Sequence, residues 1–366
     1  METAYILSFT ASFLQAVFMP VLVLYAYNTS LSEFQISVIT GFASLVYIVG
    51  ALFSSNIHLR TGNPRAVIAA SFAVMAMGFA ALPFSYDFAG ILESTSLVLL
   101  GFGVFWPAVE AYLSRKESSV SKFSFSWSSG SLIGALLTST LLRLNPQILF
   151  AAYSLLSVLQ ALQGLKMSSA SSRRAGTDLG SPGSVKDLLL YWTPWAYCIA
   201  YSASASGVLT FYPLFVADKN ISRDYISLVN FTMLLSRTLT FFLFERLPAH
   251  LKNTLLASLG FAAGLALTST TSVPVVVLIA GVIGYGQGVV YARALQLVFN
   301  KSGSTEKMTS LFESFIGLGY AVAPPLSSLA NMAVGFEPIA FASTLALIFS
   351  LFPSLNSNLE EKVAGQ

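Results

Sequence analysis

The segment KMSSASSRRAGTDLGSPGSVKD, residues 166–187, divides this chain of 366 residues into two parts of similar composition. Its serine and glycine residues, with the pair Arg173-Arg174, cannot bury apolar surface, so we predict a flexible linker. Six apolar stretches precede it and six follow it. Each is about 18–29 residues long, enough to cross a bilayer as a helix.

Overall composition and basic residues point in the same direction. The chain is 55% hydrophobic and only 10% charged, which is typical of membrane proteins. Most of its 19 lysine and arginine residues lie in every second connection and at the C-terminus, whereas the other connections hold only Arg143, Lys219 and Arg223. Short loops rich in Lys and Arg remain cytosolic, so we predict that both termini are cytosolic. The expected fold class is an all-α polytopic membrane protein.

The predicted organisation has three parts: an N-terminal six-helix bundle (1–165), a cytosolic linker (166–187) and a C-terminal six-helix bundle (188–366). Strict alternation is absent from the apolar stretches, which favours helices over barrel strands. The predicted spans are Tyr5–Tyr27, Phe34–Ser55, Ala66–Ser85, Ala89–Leu113, Phe123–Leu142, Gln147–Leu165, Leu188–Val216, Tyr225–Phe244, Thr254–Ser272, Pro274–Phe299, Met308–Leu329 and Phe336–Pro353.

Weak internal matches relate the two halves in the same order and topology. The matched positions are Pro20 with Pro213, Ile36-Ser37 with Ile226-Ser227, Gly101-Phe102-Gly103 with Gly284-Tyr285-Gly286, and Gly130 with Gly317. This order indicates two parallel repeats about an axis along the membrane normal.

Two six-helix halves with a basic connection between helices 2 and 3 resemble the major facilitator superfamily of secondary transporters. Arg60 and Gly62 match two positions of that family's motif in this connection, whereas Leu59 replaces its aspartate. The segment from Gly101 to Arg115 is similar to the end of the family's fourth helix. The resemblance implies alternating access of a central site to the two sides of the membrane.

Four charged residues lie inside predicted spans, where insertion costs about 2.5–3.5 kcal/mol each: Glu110, Arg237, Arg293 and Glu313. All are close to predicted cytosolic helix ends. Under the repeat alignment Glu110 corresponds to Arg293, so we predict a cytosolic gate formed by this pair with Glu313 nearby. The alternatives are local pairing or snorkelling, and direct binding of the solute. Arg237 could bind an anionic group or pair with another helix, and Glu313 could carry a proton.

For the central site, the family resemblance points to helices 1, 4, 7 and 10. Their polar or aromatic residues near mid-span are Gln15, Trp106, Tyr201 and Gln287. Together they predict an amphipathic cavity with hydrogen-bonding and stacking surface, suited to a neutral or weakly charged organic solute.

Small residues recur every four positions on two of the predicted helices. Helix 5 carries Gly130 and Gly134, and helix 10 carries Gly284 and Gly288. Such faces allow helix backbones to approach closely, so we expect close helix packing at both.

These patterns predict a secondary or facilitative transporter of a small organic solute that works by alternating access. A proton or another ion is a candidate coupling partner, the lipid bilayer is the surrounding phase, and a monomer is expected. The alternative is a receptor or scaffold with the same bundle that does not transport. We expect no enzyme activity, cofactor, metal or nucleic-acid partner, because the patterns for those chemistries are missing.

Overall fold

Within the described residues, 2–61, 63–115, 120–167, 192–301 and 305–364, the computed structural model contains twelve α-helices. They are α1 (Glu2–Asn28), α2 (Glu33–Thr61), α3 (Pro64–Ala81), α4 (Phe88–Arg115), α5 (Val120–Leu141), α6 (Pro146–Leu165), α7 (Trp192–Asp218), α8 (Asp224–Leu243), α9 (Thr254–Leu259), α10 (Val273–Lys301), α11 (Thr305–Val334) and α12 (Pro338–Ala364). The predicted all-α fold is confirmed. Residues 168–187 of the predicted linker and Gly62 lie outside the described residues, as does the side chain of Arg60.

Eight of the described helices are long and apolar enough to cross a bilayer, and two further apolar segments, Thr254–Ala266 and Pro338–Pro353, are shorter. Several helices extend beyond the predicted spans. The longest extensions are at the end of α2, which continues to Thr61, and at the end of α12, which continues past Pro353 to Ala364. Polar residues at these ends remain helical because an α-helix satisfies its own backbone hydrogen bonds in water as well as in lipid.

Helix packing repeats itself with a shift of six helices. In the first half α1 packs on α5, α2 on α4, and α3 on α6. The second half has the equivalent pairs, namely α7 with α11, α8 with α10, and α9 with α12. Between the halves, α2 packs on α11 and α5 packs on α8, which are also equivalent contacts. This arrangement agrees with the two parallel repeats that the sequence predicts.

The ninth helix differs most from its prediction. The sequence predicts a span at Thr254–Ser272, but α9 ends at Leu259. A 3₁₀ helix follows it directly over Gly260–Ala266. Gly260 and Gly264 disfavour α-helix, and both approach neighbouring elements closely, Gly260 at the carbonyl of Val282 and Gly264 at the side chain of Ser343. A 3₁₀ helix rises about 2.0 Å per residue, so this short segment covers more of the membrane than an α-helix would.

The small-residue faces lie at two helix contacts, one within each half. On α5, Gly130 meets the backbone of Phe9 in α1, and Gly134 lies against the following turns of α1. On α10, Gly284 and Gly288 lie against α8, where a Cβ on Gly284 would contact the carbonyl of Met233. A side chain at these positions would therefore meet backbone atoms, which cannot move aside as a flexible side chain can.

This packing predicts different effects for two glycine-to-alanine changes. Gly130→Ala should lower the stability by about 1–3 kcal/mol because its Cβ would overlap the backbone of Phe9. Gly281→Ala is the matched control, since its Cβ would find only Thr232 Cγ2 at 3.8 Å. That change should leave the stability unchanged or raise it slightly. Thermal unfolding in detergent, followed by tryptophan fluorescence, measures both, and equal midpoints would contradict the packing argument.

Candidate functional site: a cavity between the two halves

The two halves meet tightly on the side of the molecule where α1 ends and α2 begins, which the sequence predicts to be external. The N–H of Ser139 in α5 donates to the Ser227 hydroxyl in α8 at 2.6 Å. Arg143 and Asp224 form an exposed ion pair at 3.0 Å. Arg223 Nη1 also donates to the carbonyl of Leu142 at 2.7 Å. These contacts close the interface between α5 and α8 at this end.

A second set of contacts, between α2 and α11, closes the interface of the two halves at the same end of the molecule. Glu33, at the start of α2, accepts hydrogen bonds from Ser328 Oγ at 3.2 Å and from Asn331 Nδ2 at 3.0 Å in α11. Because Glu33 belongs to the first half and its partners to the second, this carboxylate also joins the two halves. We call both sets of contacts together the external seal.

A cavity of about 470 Å³ lies between the halves and extends from the middle of the helices towards the predicted cytosolic ends. Most of the surface of its wall is apolar or aromatic, and polar groups are distributed through it. The polar, charged and hydroxyl-bearing members of the wall are Ser12, Gln15, Ser44, Tyr47, Trp106, Glu110, Ser124, Trp127, Ser131, Tyr201, Asn230, Arg237, Tyr291, Glu313 and Tyr320. Both halves contribute to it, which places it at the pseudo-symmetry axis.

Two carboxyl groups lie in this cavity, one from each half. Glu313 in α11 accepts a hydrogen bond from the hydroxyl of Tyr47 in α2, across the interface between the halves. Glu110 in α4 lies in the same wall, interacts electrostatically with Glu313, and has no hydrogen-bond partner among the described residues. Helix α4 ends at Arg115, so Glu110 lies about 7–8 Å from the helix end, deeper than the sequence suggests.

Arg237 supplies the one described positive charge in the wall. Its Nη1 donates to the hydroxyl of Tyr201 at 2.7 Å, and its guanidinium carbon lies 5.4 Å from the centre of the same ring. Tyr201 therefore orients the guanidinium from α7, and the aromatic face adds a cation–π interaction. Among the described residues no carboxylate lies within ion-pair distance of Arg237, so its charge is not neutralised by pairing with another helix.

The four residues predicted for the solute cavity divide into two groups. Gln15, Trp106 and Tyr201 line the cavity, and Trp106 Nε1 donates to Gln15 Oε1 at 3.3 Å. Gln287 does not line it, because its side chain is fully buried and donates to Ser204 Oγ at 3.1 Å. It joins α10 to α7 instead.

The predicted gate is only partly assembled in this structure. Glu110 and Glu313 share the cavity with Arg237, whereas Arg293 is half-buried outside its wall and has interactions of its own. No ion pair between Glu110 and Arg293 occurs among the described residues. The pair stays a prediction for a state in which the cytosolic ends of α4 and α10 come together.

Sequence reasoning missed several cavity residues, of which Tyr47 and Asn230 are the most informative. Tyr47 lies in an apolar helix, and only the contact of α2 with α11 reveals its bond to Glu313. Asn230 is 1% exposed, and neither polar atom of its side chain has a partner among the described residues. The available signal was an amide side chain inside an apolar span, since burying an unpaired polar group is unfavourable.

The fold and the cavity together define a polytopic helical protein whose two parallel six-helix halves enclose a central cavity. A sequence model of the Major Facilitator Superfamily matches residues 4–307. The chain therefore belongs to the Major Facilitator Superfamily. No curated protein sequence matches the chain.

Solved structures of two transporters are similar to this chain over nearly its whole length. The nucleoside transporter NupG has a TM-score of 0.73 at 14% identity, with 97% of each chain covered, and its D323A mutant has a TM-score of 0.74 at 13% identity, with 97% of this chain and 98% of that chain covered. A POT family transporter, in complex with a thioalcohol-conjugated peptide, has a TM-score of 0.71 at 13% identity, with coverages of 98% and 96%. At these identities the similarity shows the fold.

The external seal predicts a cross-link. With Cys198, the single cysteine of the chain, replaced by alanine, the changes Ser139→Cys and Ser227→Cys should form a disulfide under mild oxidation, because the two residues are in hydrogen-bond contact. A protease site inserted in residues 166–187 allows detection, since the cleaved halves stay together on a non-reducing gel only when they are linked. Ser129→Cys with Ser227→Cys is the control, because Ser129 lies about 15 Å further along α5. A linked control or an unlinked test pair would contradict the closed seal.

Proposed function

We propose that this protein transports a small organic solute by alternating access, and that the solute binds in the cavity between the two halves. The observation that carries the proposal is one cavity that collects polar and charged groups from both halves while the external seal is closed. A cavity with this orientation corresponds to an inward-facing state. Rocking of the halves about the cavity would open the opposite side.

The size and chemistry of the cavity support a small organic solute. About 470 Å³ falls within the range of about 300–1,000 Å³ that is usual for small-molecule sites. An aromatic and apolar wall with a few polar groups is also typical of such sites. The similar structures belong to a nucleoside transporter and to a transporter with a bound peptide derivative, and both kinds of ligand are organic molecules of this class.

A receptor or scaffold with the same bundle is the alternative function. It would need only one stable arrangement of the halves, whereas a transporter must populate two. The closing contacts favour the transporter. The Arg143–Asp224 pair is exposed, with 67% and 58% of its side chains accessible, and exposed pairs contribute about 0–1 kcal/mol. A seal of this kind holds one state without preventing the other.

Thiol accessibility tests transport without knowledge of the solute. In the Cys198→Ala background, a cysteine at Ser131, in the cavity wall on α5, should react with a membrane-impermeant maleimide added from either side of the membrane. A cysteine at Ser157 is the control, because this fully buried residue on α6 is not part of the wall and should react from neither side. Reaction of the Ser131 cysteine from one side only, under all conditions, would support the receptor instead.

We further propose that Glu313 is the site where a coupling proton binds. Its carboxyl group receives the Tyr47 hydroxyl from the opposite half, so a change in its charge acts directly on the contact between α2 and α11. Loss or gain of that charge can therefore alter the balance between the two arrangements of the halves. The titratable and charged groups that interact electrostatically with it are Glu110, Tyr47, Tyr201, Tyr291, Tyr320 and Cys198, and Arg237 lies in the same wall.

Infrared difference spectroscopy can detect this proton directly. As the pH is stepped across the neutral range, a protonated-carboxyl C=O band should appear and disappear in the unmodified protein, and Glu313→Gln should remove it. Glu93→Gln is the control, because Glu93 is an exposed residue of α4 outside the cavity, and it should leave the band unchanged. Survival of the band in Glu313→Gln, or its loss only in Glu110→Gln, would show that the proton binds elsewhere.

A further inference from the structure

The cavity wall contains three charged residues, Glu110, Arg237 and Glu313, and two of them have opposite signs and come from opposite halves. Glu110 belongs to α4 in the first half, and Arg237 belongs to α8 in the second half. Neither is paired with a group of opposite charge among the described residues. Glu313, the third group, is hydrogen-bonded to Tyr47 and is accounted for by the proposed proton site.

Unpaired charges away from bulk water are unfavourable unless a partner compensates for them. Arg237 makes one described hydrogen bond, to Tyr201, although a guanidinium has five N–H donors, so donors remain for an anionic group. Glu110 offers its carboxyl oxygens to a cationic group in the same way. A single solute that carries both charges would compensate for Glu110 and Arg237 at once.

Resting on the proposed function, we infer that the transported solute is a small amphipathic zwitterion, with an amino group bound by Glu110 and a carboxylate bound by Arg237. The aromatic wall receives the apolar part of the solute, because rings such as Tyr291 and Trp106 line the same cavity as the two charges. Tyr201 has a positioning role, since it fixes the guanidinium through its hydroxyl and its ring face. Amino acids with apolar side chains and short peptides have this chemistry.

The inference is tested with probes that differ by one charge. L-Phenylalanine carries both charges, phenylalaninamide carries only the amine, and 3-phenylpropionate carries only the carboxylate. The purified protein should bind phenylalanine at least about tenfold more tightly than either analogue, because each charge-assisted hydrogen bond contributes at least this factor. The dipeptide phenylalanyl-alanine and its C-terminal amide repeat the comparison for a larger separation of the two charges.

Variants assign each charge to its residue. Arg237→Gln should lower the affinity for the zwitterion about tenfold or more and leave that for phenylalaninamide unchanged. Glu110→Gln should lower the affinity for the zwitterion by a similar factor and leave that for 3-phenylpropionate unchanged. Arg237→Lys should restore part of the loss. The controls Arg246→Gln and Glu93→Gln change exposed residues outside the cavity and should have no effect.

The wild-type comparison does not depend on whether any variant folds. If neither zwitterion binds more tightly than its single-charge analogues, the inference is overturned. It is also overturned if the zwitterion binds but both variants retain its preference over the analogues. If these tests fail while the Ser131 cysteine still reacts from both sides of the membrane, the protein transports another class of solute. If the Ser131 cysteine reacts from one side only, the result counts against transport itself.

Discussion

The free energy required to move a charge or an unpaired polar group out of water is the constraint on which this structure depends. It accounts for the basic connections on one side of the membrane, and for the helical form of every described span, since lipid leaves backbone groups no other partner. It also accounts for the positions of three of the four charged residues predicted within the spans. Glu110, Arg237 and Glu313 all lie in the cavity between the halves rather than on the lipid-facing surface.

Sequence patterns predicted the fold well because the length and apolarity of a span are local properties. The ninth helix shows where this fails, since Gly260 and Gly264 form a 3₁₀ segment through contacts with other helices. The site was less predictable for the same reason. Each charged residue could be recognised by itself, but the contact between Tyr47 and Glu313 depends on how α2 packs against α11. Gln287 and Arg237 are both polar residues inside apolar spans, yet only Arg237 lines the cavity.

The helix packing of this molecule is symmetric, whereas the polar side chains of its cavity are not. Helix contacts repeat with a shift of six helices, so the two halves share one scaffold. The cavity groups do not repeat: the first half contributes Glu110 and the Gln15–Trp106 pair, whereas the second half contributes Glu313 and the Arg237–Tyr201 pair. A symmetric scaffold can rock about a central axis, and an asymmetric lining can bind a solute in one orientation.

This combination has a thermodynamic consequence for the external seal. A solute shifts the equilibrium between two states only by the difference in its affinity for them, so a seal of great stability could not be opened by binding a small molecule. The seal consists of a few hydrogen bonds and one exposed ion pair, and its contribution is therefore modest. A ligand that joins charged groups of the two halves acts on the same interface from the inside. Under the proposed alternating access, a change in the cavity or in the seal therefore alters the populations of the same two states.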